Sequence, residues 1–293
     1  MNSSPFQALA CPLDGEPLEL AGSVWRCATG HSFDIAKQGY VNLLPVQQKR
    51  SSDPGDSKVM VAARQRFLKA GHYQPIAEAV SSAVLSHAES KTANNERFSC
   101  LDAGCGEGYY LRQLASSAAA NVQSLSLLGL DISKWAVLAA ARQDNQSALQ
   151  RTSQASWVVG SNARLPVQSG TLDSILCMFG FPVYSEFARV LKAGGVLWQV
   201  EAGPGHLKEL REIIYPSLKP ERSGECHLPE GFVHQSKESL NYSLALNGIG
   251  QIADLLAMTP HLYRASAEGR ARAAALEELS VTVDVCLTQW ERI

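Results

Sequence analysis

Residues 101–110 read LDAGCGEGYY. The apolar run Phe98–Leu101 leads into this stretch and predicts a short buried strand. The run Tyr110–Ala118 leaves it and predicts a helix. Gly104, Gly106 and Gly108 lie at the junction, where glycine permits a tight turn and close backbone approach to a ligand. Asp102 sits at the strand end. A second acid, Asp131, ends the next apolar run in LLGLDIS (127–133). A carboxylate there meets the hydroxyls of an adenosine ribose. The loop suits either a dinucleotide or S-adenosylmethionine. Its G-x-G-x-G spacing departs from the G-x-G-x-x-G of a pyrophosphate turn, and Asp102 sets negative charge beside it. Both features favour a ligand with a cationic amino group. Glycines that only shape turns are the alternative.

Outward from the loop, strands and helices alternate. Strands are predicted at Leu125–Leu130, Trp157–Gly160, Leu172–Met178 and Val196–Val200, and helices at Trp135–Arg142 and Tyr184–Leu191. Such apolar runs between amphipathic helices predict an α/β fold with a parallel sheet buried on both faces. Asn162, after the third strand, is placed to meet an adenine edge. Further on, Leu207–Ile214 and Ile249–Ala257 read as helices, and Tyr242–Leu246 and Val281–Leu287 as strands. Upstream, Val59–Leu68 predicts a helix broken near Gly71, and Pro75 starts another through Val84. Residues 86–97 are polar and predict a linker.

Residues 1–44 form a small unit with strand-like pieces at Leu18–Leu20 and Val24–Arg26 and turns at Asp14-Gly15 and Thr29-Gly30. So short a segment builds little core and usually needs a metal or a host surface. Cys11-x2-Asp14 followed by Cys27-x3-His31 has knuckle-like spacing. Two thiolates, an imidazole and a carboxylate can hold zinc tetrahedrally. Asp14 stands where a second cysteine would complete C-x2-C, so the other reading is a site without metal in which Asp14 serves the turn. Residues 45–58, PVQQKRSSDPGDSK, predict a connector with a basic patch at Lys49 and Arg50. The divisions are 1–44, a small zinc-knuckle-like domain; 45–97, a connector with helices; and 98–293, the α/β domain.

The whole chain has 293 residues, 45% apolar and 18% charged, with net charge -2. It reads as globular, and no overall basic field marks a nucleic-acid partner. No stretch reaches the roughly 18 apolar residues of a membrane span. The start, MNSSPFQALACP, lacks the basic and apolar regions of a signal peptide. Seven scattered cysteines fit a reducing cytoplasm.

The segment Cys11–Leu44, with HSFDIAKQGYVNLL inside it, resembles the amino-terminal domain of the bacterial 23S rRNA guanine-N1-methyltransferase family. QQKRSSDPGDS, AARQRFLKAGHYQPI, LDAGCGEGYY, EAGPGHLKELREIIY and MTPHLYRAS resemble the same family, and ARVLKAGGVLWQV resembles the helix, turn and strand of class I methyltransferases. The resemblance covers nearly the whole chain. It implies a Rossmann-like class I fold with an amino-terminal zinc module and S-adenosylmethionine as cofactor. It further implies a homodimer that cradles a 23S rRNA hairpin in helix 35. Family members modify guanine 745 or guanine 748, and the amino-terminal and GHYQP strings favour 745. By resemblance, Gly104–Gly108 (with Glu107), Tyr109, Tyr73 and His206 approach the cofactor. Two places depart from the family pattern: Asp14 replaces a cysteine, and the segment after strand four is MFGFPVYSEF (178–187).

Methylation at guanine N1 requires alignment of N1 with the methyl group, loss of the N1 proton and a donor for charge on O6. Glu201 and His206 are the candidate bases, Glu201 because it follows strand five at the carboxyl edge. Asp173 begins strand four at the opposite edge, and Glu186 lies in the same half. No D-P-P-Y or N-P-P-Y string is present, which disfavours exocyclic-amine chemistry. Phe179, Phe181 and Tyr184 could stack an extruded guanine or simply pack the core. The amino-terminal module 1–44 and the loop through Lys49 and Arg50 are expected on the RNA. A small-molecule methyltransferase and a noncatalytic RNA-binding descendant are the competing readings. The first would not need the knuckle, and the second would carry a damaged loop.

Overall fold

The structure is a computed structural model that describes residues 6–48, 51–91, 97–121, 123–146, 155–217 and 228–293. The strand–helix alternation forms as expected: β5 (Phe98–Ala103), α3 (Tyr109–Ala120), β6 (Leu125–Asp131), α4 (Lys134–Gln146), β7 (Ser156–Val159), β8 (Leu172–Met178), α5 (Tyr184–Val190) and β9 (Leu191–Ala202). Ahead of it stand β1 (Glu19–Ala21), β2 (Val24–Arg26), β3 (Ser32–Asp34), β4 (Tyr40–Asn42), α1 (Lys58–Lys69) and α2 (Gln74–Lys91). After it come α6 (Lys208–Ile214), β10 (Phe232–Asn247), α7 (Ile249–Met258), α8 (His261–Arg264), α9 (Ala267–Ala274) and β11 (Glu278–Arg292).

Eight strands form one sheet in the order β10-β11-β9-β8-β5-β6-β7-β4. Its centre is parallel, and every residue of β5 is buried. The expectation of an all-parallel sheet is corrected at one end. β11 slots between β9 and β10 and runs antiparallel to both. Strand direction depends on how 30 or so intervening residues return to the sheet, and periodicity carries no trace of that. The fold is a Rossmann-like α/β fold with a small amino-terminal sheet, β1-β2-β3.

Three spans differ from the sequence reading. β10 runs for 16 residues, but as an edge strand it buries only Phe232, Leu244 and Leu246. Only its last part therefore carried an apolar signal. β11 likewise extends well past Val281–Leu287. The linker expected over 86–97 is helical to Lys91, because Ala88 continues the buried stripe of Ile76, Val80 and Val84. Residues 92–96 lie outside the described residues.

The expected boundary at residue 44 does not coincide with a gap in packing. Tyr40–Asn42 pair in parallel with Trp157–Val159, and Leu9 bridges Val167. Phe6, Leu9, Trp25 and Leu43 share one apolar cluster with Leu128, Val158 and Ile175 of the large sheet. The small unit buries its face on a host surface, as its size requires. Nor does the connector stand apart: α1 packs on α7 and α2 on α3. Ser57 caps α1 by accepting from the Met60 N–H at 3.4 Å.

Candidate active site

A cavity of about 790 Å³ opens at the carboxyl ends of the parallel strands. That size lies within the range of small-molecule sites, about 300–1,000 Å³. One half is walled by the glycine loop. Gly104 and Gly106 line it, as do Glu107, Tyr109, Asp131 and Asn162. Asp131 Oδ2 accepts from the Gly106 N–H at 2.9 Å, and Oδ1 from the Ser133 N–H at 2.7 Å. A carboxylate has about four acceptor sites, so two remain for ribose hydroxyls. Burial raises the Asp131 carboxyl above its ordinary value against those two donors. Asn162 Nδ2 donates to the Ala103 carbonyl at 3.4 Å, and its Oδ1 is buried without a partner among the described residues. That orphaned acceptor fits an exocyclic amine.

Two predicted cofactor residues lie off the cavity, and a third is engaged within its wall. Asp102 is wholly buried behind the wall, and among the described residues neither carboxylate oxygen has a partner. Burial, and then the charge of Asp131, push its carboxyl up to about 8. A cationic ligand in front of it would favour ionisation. Gly108 does not line the cavity. It has a φ of 82°, and a Cβ there would lie 2.4 Å from the Trp157 ring, so its part is to seat the start of α3 on Trp157. Glu107 reaches the cavity wall, but its carboxylate is held by Arg112 Nη2 at 2.6 Å and Gln143 Nε2 at 2.5 Å. It braces the loop.

The other half of the cavity is aromatic. Tyr73, Phe179 and His206 cluster with ring centroids 5.8–6.2 Å apart, and Phe179 stacks on His206 at an interplanar angle of 29°. Phe179 and Leu207 are the described non-glycine residues with positive φ, 53° and 52°. Both line this cavity, where such backbone conformations commonly serve a site. His206 Nδ1 accepts the Asp284 N–H at 3.3 Å, so the hydrogen of the neutral ring resides on Nε2, which meets Tyr73 Oη at 3.3 Å. Burial holds the imidazole down to about 4, against the charge of Asp284. Burial raises the Tyr73 phenol, so it stays protonated and a donor. Phe181 lines the mouth and is 87% exposed. Tyr184 lies off the cavity and bonds Gln199 Oε1 at 3.1 Å.

Among the carboxylates, Glu201 lines the cavity; it lies at the carboxyl end of β9, which runs two residues past the Val200 expected from the sequence. Asp173 is taken up by Ser99 and Lys192, and Glu186 by Arg189 and the Leu165 N–H.

The sequence reading missed Arg64 and the strap around Asp56. Arg64 is engaged by the Asp56 carboxylate and donates to the Met258 carbonyl at 3.0 Å. Its side chain approaches within 3.6 Å of a Cβ built on Gly106. Ser133 Oγ donates to the Asp56 carbonyl, and Trp135 Nε1 to Asp53, both at 2.7 Å. The D-P-G-D turn string was the available signal. Lys49 and Arg50 lie outside the described residues.

In the small unit, Cys11, Asp14, Cys27 and His31 bring their ligand atoms within 4.8 Å of one another. His31 Nδ1 lies 3.5 Å from Cys11 Sγ, 3.4 Å from Cys27 Sγ and 2.9 Å from Asp14 Oδ2. Tetrahedral zinc with bonds of about 2.3 Å to sulfur and 2.05 Å to nitrogen sets those atoms about 3.5 Å apart. The four residues therefore fit the ion. Thr29 bonds Asp14 and lies 2.9 Å from Cys27 Sγ. Burial pushes the Cys27 thiol up, but hydrogen bonds from Thr29 and His31 outweigh it and hold the thiol below its ordinary value.

Comparison with known proteins adds two matched families. Residues 9–52 match the zinc ribbon described as "RlmA, N-terminal", and residues 100–195 match a methyltransferase domain. A protein of Micromonospora griseorubida, provisionally named a 23S rRNA (guanine-N1)-methyltransferase, is 32% identical over 97% of each chain. The 23S rRNA (guanine(748)-N1)-methyltransferase of Streptomyces fradiae is 31% identical over 98% of this chain and 99% of its own. A Bacillus subtilis protein, provisionally named to the same activity, is 29% identical over 96% of this chain and 95% of its own.

Proposed function

The chain belongs to the 23S rRNA (guanine-N1)-methyltransferase family, and on that premise we propose that it methylates N1 of a guanine in helix 35 of 23S rRNA. The observation that carries this reading is one continuous cavity, with a glycine loop and Asp131 at one end and Phe179, His206 and exposed Phe181 at the other. S-adenosylmethionine supplies an electrophilic methyl group when bound. Asp131 would hold its ribose, Asn162 its adenine amine, and the backbone at Gly104 and Gly106 its amino-acid end.

The chain's own residues handle the guanine. Phe179, locked against His206, offers a ring face to an unstacked base. His206 has both nitrogens engaged and acts as a positioning residue, not a base. Because its Nε2–H points to Tyr73 Oη, the Tyr73 hydroxyl keeps its own hydrogen to donate to charge growing on guanine O6. Glu201, at the carboxyl end of β9, accepts the N1 proton. Zinc held by Cys11, Asp14, Cys27 and His31 serves structure, since four protein ligands leave no open position.

The proposed target is guanine 745, on the strength of the amino-terminal and GHYQP strings. The 748 enzyme of S. fradiae supports a second reading at guanine 748. The enzyme acts in the cytoplasm as a homodimer that cradles the hairpin. Among the described residues, no helix is long and apolar enough to cross a membrane. The test is methyl transfer to 23S rRNA from cells lacking the modification, mapped at base resolution. N1-methylguanine at 745 is expected. Product at 748 moves the site, and turnover of a small metabolite without rRNA methylation overturns the reading.

A further inference from the structure

The string MTPHLYRAS forms the end of α7 and the single turn α8, and its Thr259, Pro260 and His261 line the cavity. His261 and Arg264 are three residues apart and neighbours on that turn. Across from them, Arg211 and Tyr215 stand four apart at the end of α6. Tyr215 Oη meets His261 Nδ1 at 2.8 Å with the rings 5.7 Å apart, so the two elements are stapled, with Arg211 on one and Arg264 on the other. Burial, and then the charges of Arg211 and Arg264, hold the His261 imidazole below its usual value.

Two further arginines brace this rim. Arg272 donates twice to the Ile213 carbonyl at the end of α6, at 2.9 and 2.7 Å. Arg270 donates to the Ala265 carbonyl just past α8, at 2.6 Å. Arg211 and Arg264 are left otherwise. Arg211 gives Nη2 to the Pro204 carbonyl at 2.5 Å, while its Nε is buried and has no partner among the described residues. Arg264 is exposed, and among the described residues neither arginine pairs with a carboxylate. The nearby acids are engaged: Glu209 by Thr282 and Asp284 by the Gly205 N–H. Two guanidiniums whose charges reach His261, a residue of the cavity lining, and which have no carboxylate partner among the described residues, suit an anion that arrives with the ligand.

We propose that Arg264 and Arg211 form a phosphodiester-binding lip that holds the RNA strand at the nucleotide whose base enters the cavity. This rests on the rRNA reading above. A flipped base leaves its sugar and phosphates at the cavity mouth, and a bidentate guanidinium grips a phosphate there without reading sequence.

The test measures filter binding of a helix 35 hairpin and methyl transfer to 23S rRNA, each at several salt concentrations, for the wild type, Arg264→Ala, Arg264→Lys and Arg264→Glu. Arg264 has no described partner, so these variants should fold, and S-adenosylmethionine affinity checks the pocket. Arg264→Ala should raise KM for RNA about tenfold with kcat changed less than twofold. It should also lower the slope of log affinity against log salt by about one. Lysine should recover most of the loss, and glutamate should deepen it. Wild-type KM and salt slope in Arg264→Ala and Arg264→Glu would overturn the lip while leaving the rRNA function standing. Wild-type protein that binds the hairpin but transfers no methyl defeats the rRNA function, and the binding arm then decides the lip. Wild-type protein that binds no RNA overturns both.

Discussion

His206 and Tyr73 show how burial assigns roles to side chains whose chemistry alone leaves them open. An imidazole with its lone pair on a backbone N–H and its hydrogen on a phenol is a fixed strut. The phenol is thereby turned into a directed donor. Tyr73→Phe should therefore lower kcat for rRNA methylation about 100-fold, the scale of losing one donor to developing oxyanion charge, with KM for RNA within about twofold. Steady-state kinetics separate the two. Asp102 makes a different prediction. Its folded carboxyl is raised to about 8, whereas in the unfolded chain it ionises near 4. Between roughly pH 5 and 7 the folded state thus keeps a proton that the unfolded state has lost. Stability should fall with rising pH by up to about 1.4 kcal/mol per unit from this group. Urea titrations at pH 5 and 7 should show a shallower decline for Asp102→Asn, together with weaker binding of cationic S-adenosylmethionine. An unchanged pH slope would show that Asp102 is ionised in the free protein.

At the scale of elements, β6 and the glycine loop meet around one indole. Trp157 of β7 donates to buried Asp144 at 2.8 Å and lies against both Gly129 and Gly108. A Cβ on Gly129 would sit 2.2 Å from the ring. Gly129→Ala should destabilise the protein by about 1–3 kcal/mol through overpacking, seen as a lower urea midpoint. Gly129 lay unremarked inside an apolar strand in the sequence reading, because its neighbour across the sheet is 28 residues away. The amino-terminal sheet has its own staple. Protein purified without chelator should carry about one zinc per chain, Asp14→Ala should lose it, and Asp14→Cys should hold it more firmly against chelator. Elemental analysis decides. A zinc-free wild type with β1–β3 intact would return Asp14 to the role of a turn residue. The strap at Asp53–Asp56 was legible only as a turn. Its place over the cavity depends on Ser133 and Trp135, which contact it from nearly 80 residues further along.

For the whole molecule, a net charge of -2 means that RNA must be held by local positive charge and shape. Lys49→Glu with Arg50→Glu should weaken rRNA binding and methylation at least tenfold and leave S-adenosylmethionine affinity nearly intact, as equilibrium binding of each ligand would show. The proposed dimer would double the RNA-facing surface. Sedimentation equilibrium should find two chains per particle.

Much of this molecule was determined by the sequence alone. The central α/β alternation, the glycine loop with Asp131, the Cys11–Asp14–Cys27–His31 quartet and the family all follow from local patterns, since periodicity, turn residues and ligand spacing are properties of neighbouring residues. Tertiary structure decided the rest. The reversal of β11, the full length of edge strand β10 and the merging of the small unit with the large sheet depend on which distant segments meet. So do the withdrawal of Asp102 and Gly108 from the cavity, the pairing of Tyr73 with His206 across 133 positions, and the bond of Tyr215 to His261 across 46 positions. Burial and hydrogen-bond partners belong to the folded environment, and they set whether a given carboxyl, imidazole or guanidinium reacts, supports or waits for a ligand.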